Sequence, residues 1–246
     1  DVLANIIKTL GEGYALQKQD IFCKQEYHHE PEGEQEFLTE SYFNYFEGSD
    51  HLVENFAGLP YRRAFDPVDY PQVVCSIPSI WTGLYRKTFL EREGISLRET
   101  PGAAFQDAGF GLKVWFAART CALVKKPLLH YRMDNPGSSS KTTDKVFTVC
   151  EELADAEAFL RQRPERARVL LPWLAVDKWG KYRWNYERIS ASEHVAFAQR
   201  MFDEYRASQD ANELDYSLLK PEDAALLRNL LDVGAEAFAA AHPDSY

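Results

Sequence analysis

Asp107 stands just ahead of Phe110, Val114, Trp115 and Ala118, where a carboxylate can cap the helix those residues predict. A helix N-terminus is a rigid mount for such a group, and the helix dipole favours its ionised form, the one able to take a proton. His130 and Arg132 lie two apart on a predicted strand and so face one side of it, where they could equally pair with surface acids. Trp81 and Tyr85, next to Arg86, are spaced like core aromatics. A fourth group is the aromatic and basic stretch of Trp179, Tyr182, Trp184 and Tyr186 with Lys178, Lys181, Arg183 and Arg188. Trp179, Tyr182, Tyr186 and Ile189 fall on one helical face, which predicts core packing; the alternative is a surface for acceptor sugars or anionic lipid.

Other chemistries lack their residues. Cys23, Cys75, Cys121 and Cys150 are far apart and form no CxxC pair, so they read as reduced core thiols. His28 and His29 are adjacent and project in different directions, and no HExxH spacing occurs. Gly11 and Gly13 follow no strand and precede no Gly-Lys-Ser, which excludes a phosphate loop.

The elements that must position these groups change character along the chain. Val2, Leu3, Ile6, Ile7, Leu10 and Tyr14 predict a helix over 2–18, and 20–27 reads as a buried strand. Residues 28–72 read as an irregular acidic insertion with aromatic islands at Tyr42-Phe43 and Tyr45-Phe46. A short helix is expected from Arg86 to Arg92, ended by Gly94, then an extended Ile95–Leu97 and a Pro101-Gly102 turn. Ala122 to Tyr131 reads as one strand, followed by a turn at Asn135-Pro136-Gly137-Ser138. From 144 onward the apolar spacing is helical to the end. The predicted class is α/β: a partial domain over 1–143 with an incomplete mixed sheet, then a mainly α-helical extension over 144–246.

The 246 residues suffice for one large domain or two modest ones, and 45% hydrophobic content with 13% aromatics provides a core. No apolar run approaches the length of a membrane span, and no signal peptide opens the sequence, so a cytoplasmic protein is expected. The net charge of −10 is concentrated in residues 1–70, where fourteen acids face five bases. Six of those acids, Glu26, Glu30, Glu32, Glu34, Glu36 and Glu40, cluster in a stretch read as a solvated insertion. An acidic balance excludes a general nucleic-acid binder, which needs a basic footprint.

Between Ile77 and Ser140 the chain runs Pro-Ser-Ile-Trp-Thr-Gly-Leu-Tyr-Arg-Lys-Thr-Phe-Leu, Glu-Thr-Pro-Gly-Ala-Ala-Phe-Gln-Asp, His-Tyr-Arg and Asn-Pro-Gly-Ser-Ser. In this order the pieces resemble the second half of the catalytic domain of family 2 glycosyltransferases of the GT-A fold, closest to bacterial members of cell-surface polysaccharide assembly. The resemblance covers residues 1 to about 160, with 145–160 matching the helix such proteins place next. It implies that Asp107 is the general base that takes the acceptor hydroxyl's proton as the oxygen attacks the anomeric carbon. The family's usual Glu-Asp pair is here Gln106-Asp107. His130 and Arg132, with Ser138 and Ser139, would face the donor diphosphate and offset charge on the leaving nucleotide. Trp81, Tyr85, Arg86 and Gln106 would shape the acceptor side.

The resemblance further implies a nucleotide-sugar donor, a glycan or lipid-linked acceptor, inversion at the anomeric carbon, and a divalent Mg²⁺ or Mn²⁺ held by an Asp-x-Asp motif. That motif is absent from this sequence. In the family the helix resembling 2–18 directly follows it, so roughly 90–100 residues of nucleotide-binding half are expected before Asp1, and the fragment alone is expected to be silent. Peripheral contact with the inner membrane face fits a lipid-linked acceptor. The alternative is a non-catalytic module of glycosyltransferase-like shape that binds a glycan, a membrane surface or a protein through its aromatic helical segment.

Overall fold

The computed structural model describes residues 35–40, 42–46, 49–61, 63–99, 104–124, 127, 129–132 and 145–243. The helix expected over 2–18, the strand over 20–27, Cys23, His28, His29, Ser138 and Ser139 lie outside the described residues. The described part is mixed α/β, with six short strands and seven α-helices.

Strands β1 (Phe37–Glu40), β2 (Tyr42–Phe46) and β3 (Ser49–Val53) occupy part of the stretch expected to be irregular. The acidic count concealed them: Phe37 and Thr39 alternate inward, and β2 is built of aromatics that suit a pleated surface. Nor is the acidic run all solvated. Glu40 is buried, and Glu36 bridges the Arg92 guanidinium and the backbone N–H groups of Arg119 (2.7 Å) and Thr120 (3.3 Å). Burial pushes its carboxyl up, but those donors together pull it below the usual range.

Two small sheets follow, ordered β4-β1-β5 and β3-β2-β6, with β4 at Leu84–Tyr85, β5 at Cys121–Val124 and β6 at His130–Arg132. In each, the central strand is antiparallel to one neighbour and parallel to the other. The single strand expected over 122–131 is thus two, because Pro127 cannot donate to a ladder. Glu40 aligns with Val124 and Phe43 with His130, so the two strand pairs are three residues apart along one segment and six along the other.

Helix α1 (Lys87–Glu93) ends where expected: Gly94 takes φ 66°, and the N–H of Ile95 returns to the Leu90 carbonyl at 2.9 Å. Ile95–Leu97 then runs outside any sheet, with Ile95 buried as the hydrophobic contact of that helix end. Helix α2 (Gln106–Ala117) has two buried faces. Val114 and Trp115 enter the core built on the sheet and α1, with Phe37, Phe65, Phe89 and Cys121. Leu112 and Phe116 enter a second core with helices α3 (Thr148–Arg161), α4 (Pro164–Tyr186), α5 (His194–Asp210), α6 (Pro221–Val233) and α7 (Ala235–Ala241). The end of α2 is closed from α4: Arg166, 7% exposed, donates to the carbonyls of Phe116 and Ala118 and pairs with Asp66. Among the described residues no helix is long and apolar enough to cross a membrane.

Candidate functional site around the start of α2

Asp107 is the second residue of α2 rather than its cap. The capping position is held by Phe105, which offers no side-chain oxygen and sits in the left-handed region at φ 59°, ψ 4°. Such a conformation costs an aromatic residue about 1–3 kcal/mol and persists only where the surroundings impose it. Gln106 folds back so that its Oε1 accepts the Ala104 N–H at 2.6 Å, while Asp107 Oδ1 accepts the Ala108 N–H at 2.9 Å. Burial pushes the half-buried Asp107 carboxyl above the usual aspartate range, and the Ala108 N–H and Lys181 cation only partly offset it. The helix start therefore does not dominate its ionisation as expected; desolvation does.

The residues expected on the acceptor side flank these first turns. Tyr85 meets Phe110 edge-on at 5.1 Å and stacks on Phe37 at 4.9 Å, and its hydroxyl donates to the Ile80 carbonyl at 2.9 Å. Burial pushes that phenol well up, and the side chain is committed to packing β4 against α2. Trp81 stacks on Tyr131 of β6 at 4.7 Å and 12°. Arg86 is exposed, with Nε donating to the Gln35 carbonyl at 3.1 Å. On the expected donor side, His130 is exposed on β6 opposite Phe43, and Arg132 aligns with Tyr45 in the same strand pair. Gln106 and Asp107 thus open α2 with Tyr85 packed on Phe110 beside them, whereas the Trp81 ring packs on β6.

Two buried acids that sequence reading missed, Glu152 and Asp177, lie on helices that meet α2. Glu152 of α3 is 1% exposed and lies against Gly109 so closely that a Cβ there would stand 2.6 Å from Glu152 Oε2. Its Oε1 has no hydrogen-bond partner among the described residues, and Arg98 Nη1 lies 3.9 Å away. Burial pushes this carboxyl up to about 7, Asp107 and Asp155 adding to the rise while Arg98 and Lys113 oppose it. From α4, Asp177 (6% exposed) pairs with Lys181, and its Oδ2 has no partner among the described residues. The available signal was an acid within an apolar stripe: Glu152 follows Val149 at i+3, and Asp177 follows Leu174 at i+3.

Glu152 makes stability depend on pH. Its folded pKa exceeds the unfolded one, so the stability contributed by its neutral form is complete below the unfolded carboxylate range and is lost as pH rises through about 7. Glu152→Gln is therefore expected to raise unfolding free energy by about 1–3 kcal/mol at pH 8 and to change it little at pH 5. Urea titrations at the two pH values measure the difference.

The aromatic and basic stretch is core. Trp179, Tyr182, Tyr186 and Ile189 are buried, with Trp179 Nε1 on Asp223 (3.0 Å) and the Tyr182 hydroxyl on Glu204 (2.7 Å). Lys178 is buried between Glu157 (3.0 Å) and Glu204 (2.7 Å), and Arg183 pairs with Asp223. Trp184, 44% exposed, keeps an open surface, with Arg188 over its ring at 3.8 Å. Of the expected core thiols, Cys121 and Cys150 are buried. Cys75 lies on an exposed turn, but its thiol turns inward to the Trp173 carbonyl at 3.6 Å. Burial pushes the Cys75 thiol up to about 12, which removes it as a thiolate nucleophile at neutral pH.

No protein-family model, no curated protein and no solved structure matches the chain. The candidate site therefore rests on its own residues.

Proposed function

We propose that the chain is the acceptor-side part of an inverting, family 2-like glycosyltransferase of the GT-A fold, with Asp107 as the base. The observation that carries this reading is the Gln106-Asp107 pair at the opening of α2, with its carboxyl half-buried and fixed on the Ala108 N–H. The segment holding Trp81 and Tyr85 lies alongside, in the order the sequence resemblance expects. A partly desolvated carboxylate is a stronger base than one in water, and a rigid mount holds it in reach of an acceptor hydroxyl.

Within this reading the acceptor is a glycan or lipid-linked sugar, and the donor a nucleotide sugar whose diphosphate meets the segment from His130 to Ser139. The work belongs at the cytoplasmic face of the membrane, in cell-surface polysaccharide synthesis. Among the described residues no group of three or more His, Cys, Asp or Glu side chains could hold a metal ion. The Mg²⁺ or Mn²⁺ that the resemblance implies thus finds no seat in them, and no step is assigned to it here.

The test is turnover by the full-length protein. With UDP- and GDP-sugars, a divalent ion and a membrane-derived glycolipid acceptor, nucleoside diphosphate release is expected to depend on both acceptor and ion. Absence of sugar transfer from every donor, with the protein folded, overturns the reading.

A further inference from the structure

Helix α4 belongs to the extension, yet one stripe of it meets the turn that carries Asp107. Asp177, Lys181 and Trp184 follow one another at intervals of four and three residues, which places them on one side of the helix, with Arg188 just past its end. The Trp184 ring meets Phe105 edge-on, with centroids 5.8 Å apart at 85°. Phe105 is the left-handed residue immediately before Gln106-Asp107, so this contact bears on the strained point of the turn. Arg188 lies over the indole at 3.8 Å and fixes the ring in turn. One turn earlier Lys181 is gripped by buried Asp177, and its cation acts on the Asp107 carboxyl.

We propose that Trp184 and Lys181 are positioning residues for Asp107: the indole holds Phe105 in its left-handed entry to α2, and the ammonium supplies the positive charge beside the carboxyl. The inference rests on the reading of Asp107 as the base, and extends the working site from the α/β part into the helical extension. Neither residue touches the reacting atoms. The charges that bear on Asp107 are Lys181 from α4, the Ala108 N–H from its own helix, and Glu152 from α3, whose pairing with Arg98 is loose. Losing Lys181 removes the cation that opposes burial at Asp107 and strips Asp177 of its partner, which disfavours the ionised form of Asp107.

The experiment is a carboxyl-carbon NMR titration of the 246-residue chain, with Asp107 assigned by Asp107→Asn. Lys181→Met is expected to raise the pH at which Asp107 titrates, and Lys181→Arg to restore it. Trp184→Ala is expected to shift the amide resonances of Gln106 and Asp107, and Trp184→Phe, which keeps an edge contact, to return them towards wild type. Trp184 is half exposed, so the Ala variant is expected to stay folded, as its amide dispersion will report. In the full-length enzyme, Lys181→Met is expected to lower transfer more at acidic than at alkaline pH, because the ionised base is then harder to form. An unchanged Asp107 titration in Lys181→Met, or unchanged Gln106 and Asp107 amides in folded Trp184→Ala, overturns the proposal. These readouts need no turnover, so they stand apart from failure of the glycosyltransferase reading.

Discussion

On the proposed glycosyltransferase reading, full-length protein carrying Asp107→Asn is expected to transfer sugar about 10²–10⁴-fold more slowly than wild type, the usual contribution of a positioned general base. Asn matches Asp in shape, and its carbonyl oxygen can still accept the Ala108 N–H that holds Asp107 Oδ1 at 2.9 Å. What disappears is the site that takes a proton. Burial disfavours the charged form of Asp107, so the neutral amide should leave the fold as stable as before or slightly more so. Donor affinity is expected to be unchanged, because Asp107 is assigned to the acceptor hydroxyl and not to the diphosphate. Transfer kinetics paired with a donor titration and a melting curve separate these effects. Turnover within a few-fold of wild type would remove Asp107 from the chemistry.

Arg166→Met is expected to cost about 3–5 kcal/mol of unfolding free energy, the scale for breaking a buried ion pair from one side. The guanidinium donates Nε to Phe116 and Nη2 to Ala118 (2.8 Å), carbonyls at the end of α2 that no later turn satisfies. Its Nη1 reaches both carboxylate oxygens of Asp66, at 2.9 and 3.0 Å. Asp66 also accepts the Val68 N–H at 3.0 Å and so starts the turn at Pro67–Asp69. One side chain therefore joins α4, the end of α2 and the residue that opens the Pro67–Asp69 turn. Arg166→Lys keeps the charge but lacks the fork that serves all three acceptors, and should lose about 1–3 kcal/mol. Urea unfolding of the three proteins gives the comparison, and a loss below 1 kcal/mol for the Met variant would mean that water replaces the guanidinium freely.

How far the sequence could be read depended on whether the deciding interaction was local. Helix α1 with its Gly94 end, and the helical run after 144, follow from residue spacing and turn chemistry, and both are found. Strands β1 to β3 are hidden behind the acidic residues around them, although Phe37 and Thr39 point inward on a strand whose end carries buried Glu40. Around the candidate site, Gln106-Asp107 was visible as a pair opening a helix. The left-handed Phe105 was not, since nothing in a phenylalanine announces a positive φ; it is a tertiary constraint that meets Trp184 far along the chain. The burial of Glu152 against Gly109 was equally invisible, because that neighbour comes from another helix. Trp179, Tyr182 and Tyr186 show the converse: their spacing predicted a core, and a core is what they form.

The double burial of α2 has a consequence for how this molecule comes apart. Leu112 and Phe116 on one side and Val114 and Trp115 on the other commit both faces of the helix to packing and leave it little surface for water. The sheet part cannot open without pulling apart the wall of the helical part, and the helical part cannot detach without stripping the same wall. Local opening energies in the two regions are thereby tied together, and the turn bearing Asp107 sits at the end of the element that both must lose at once.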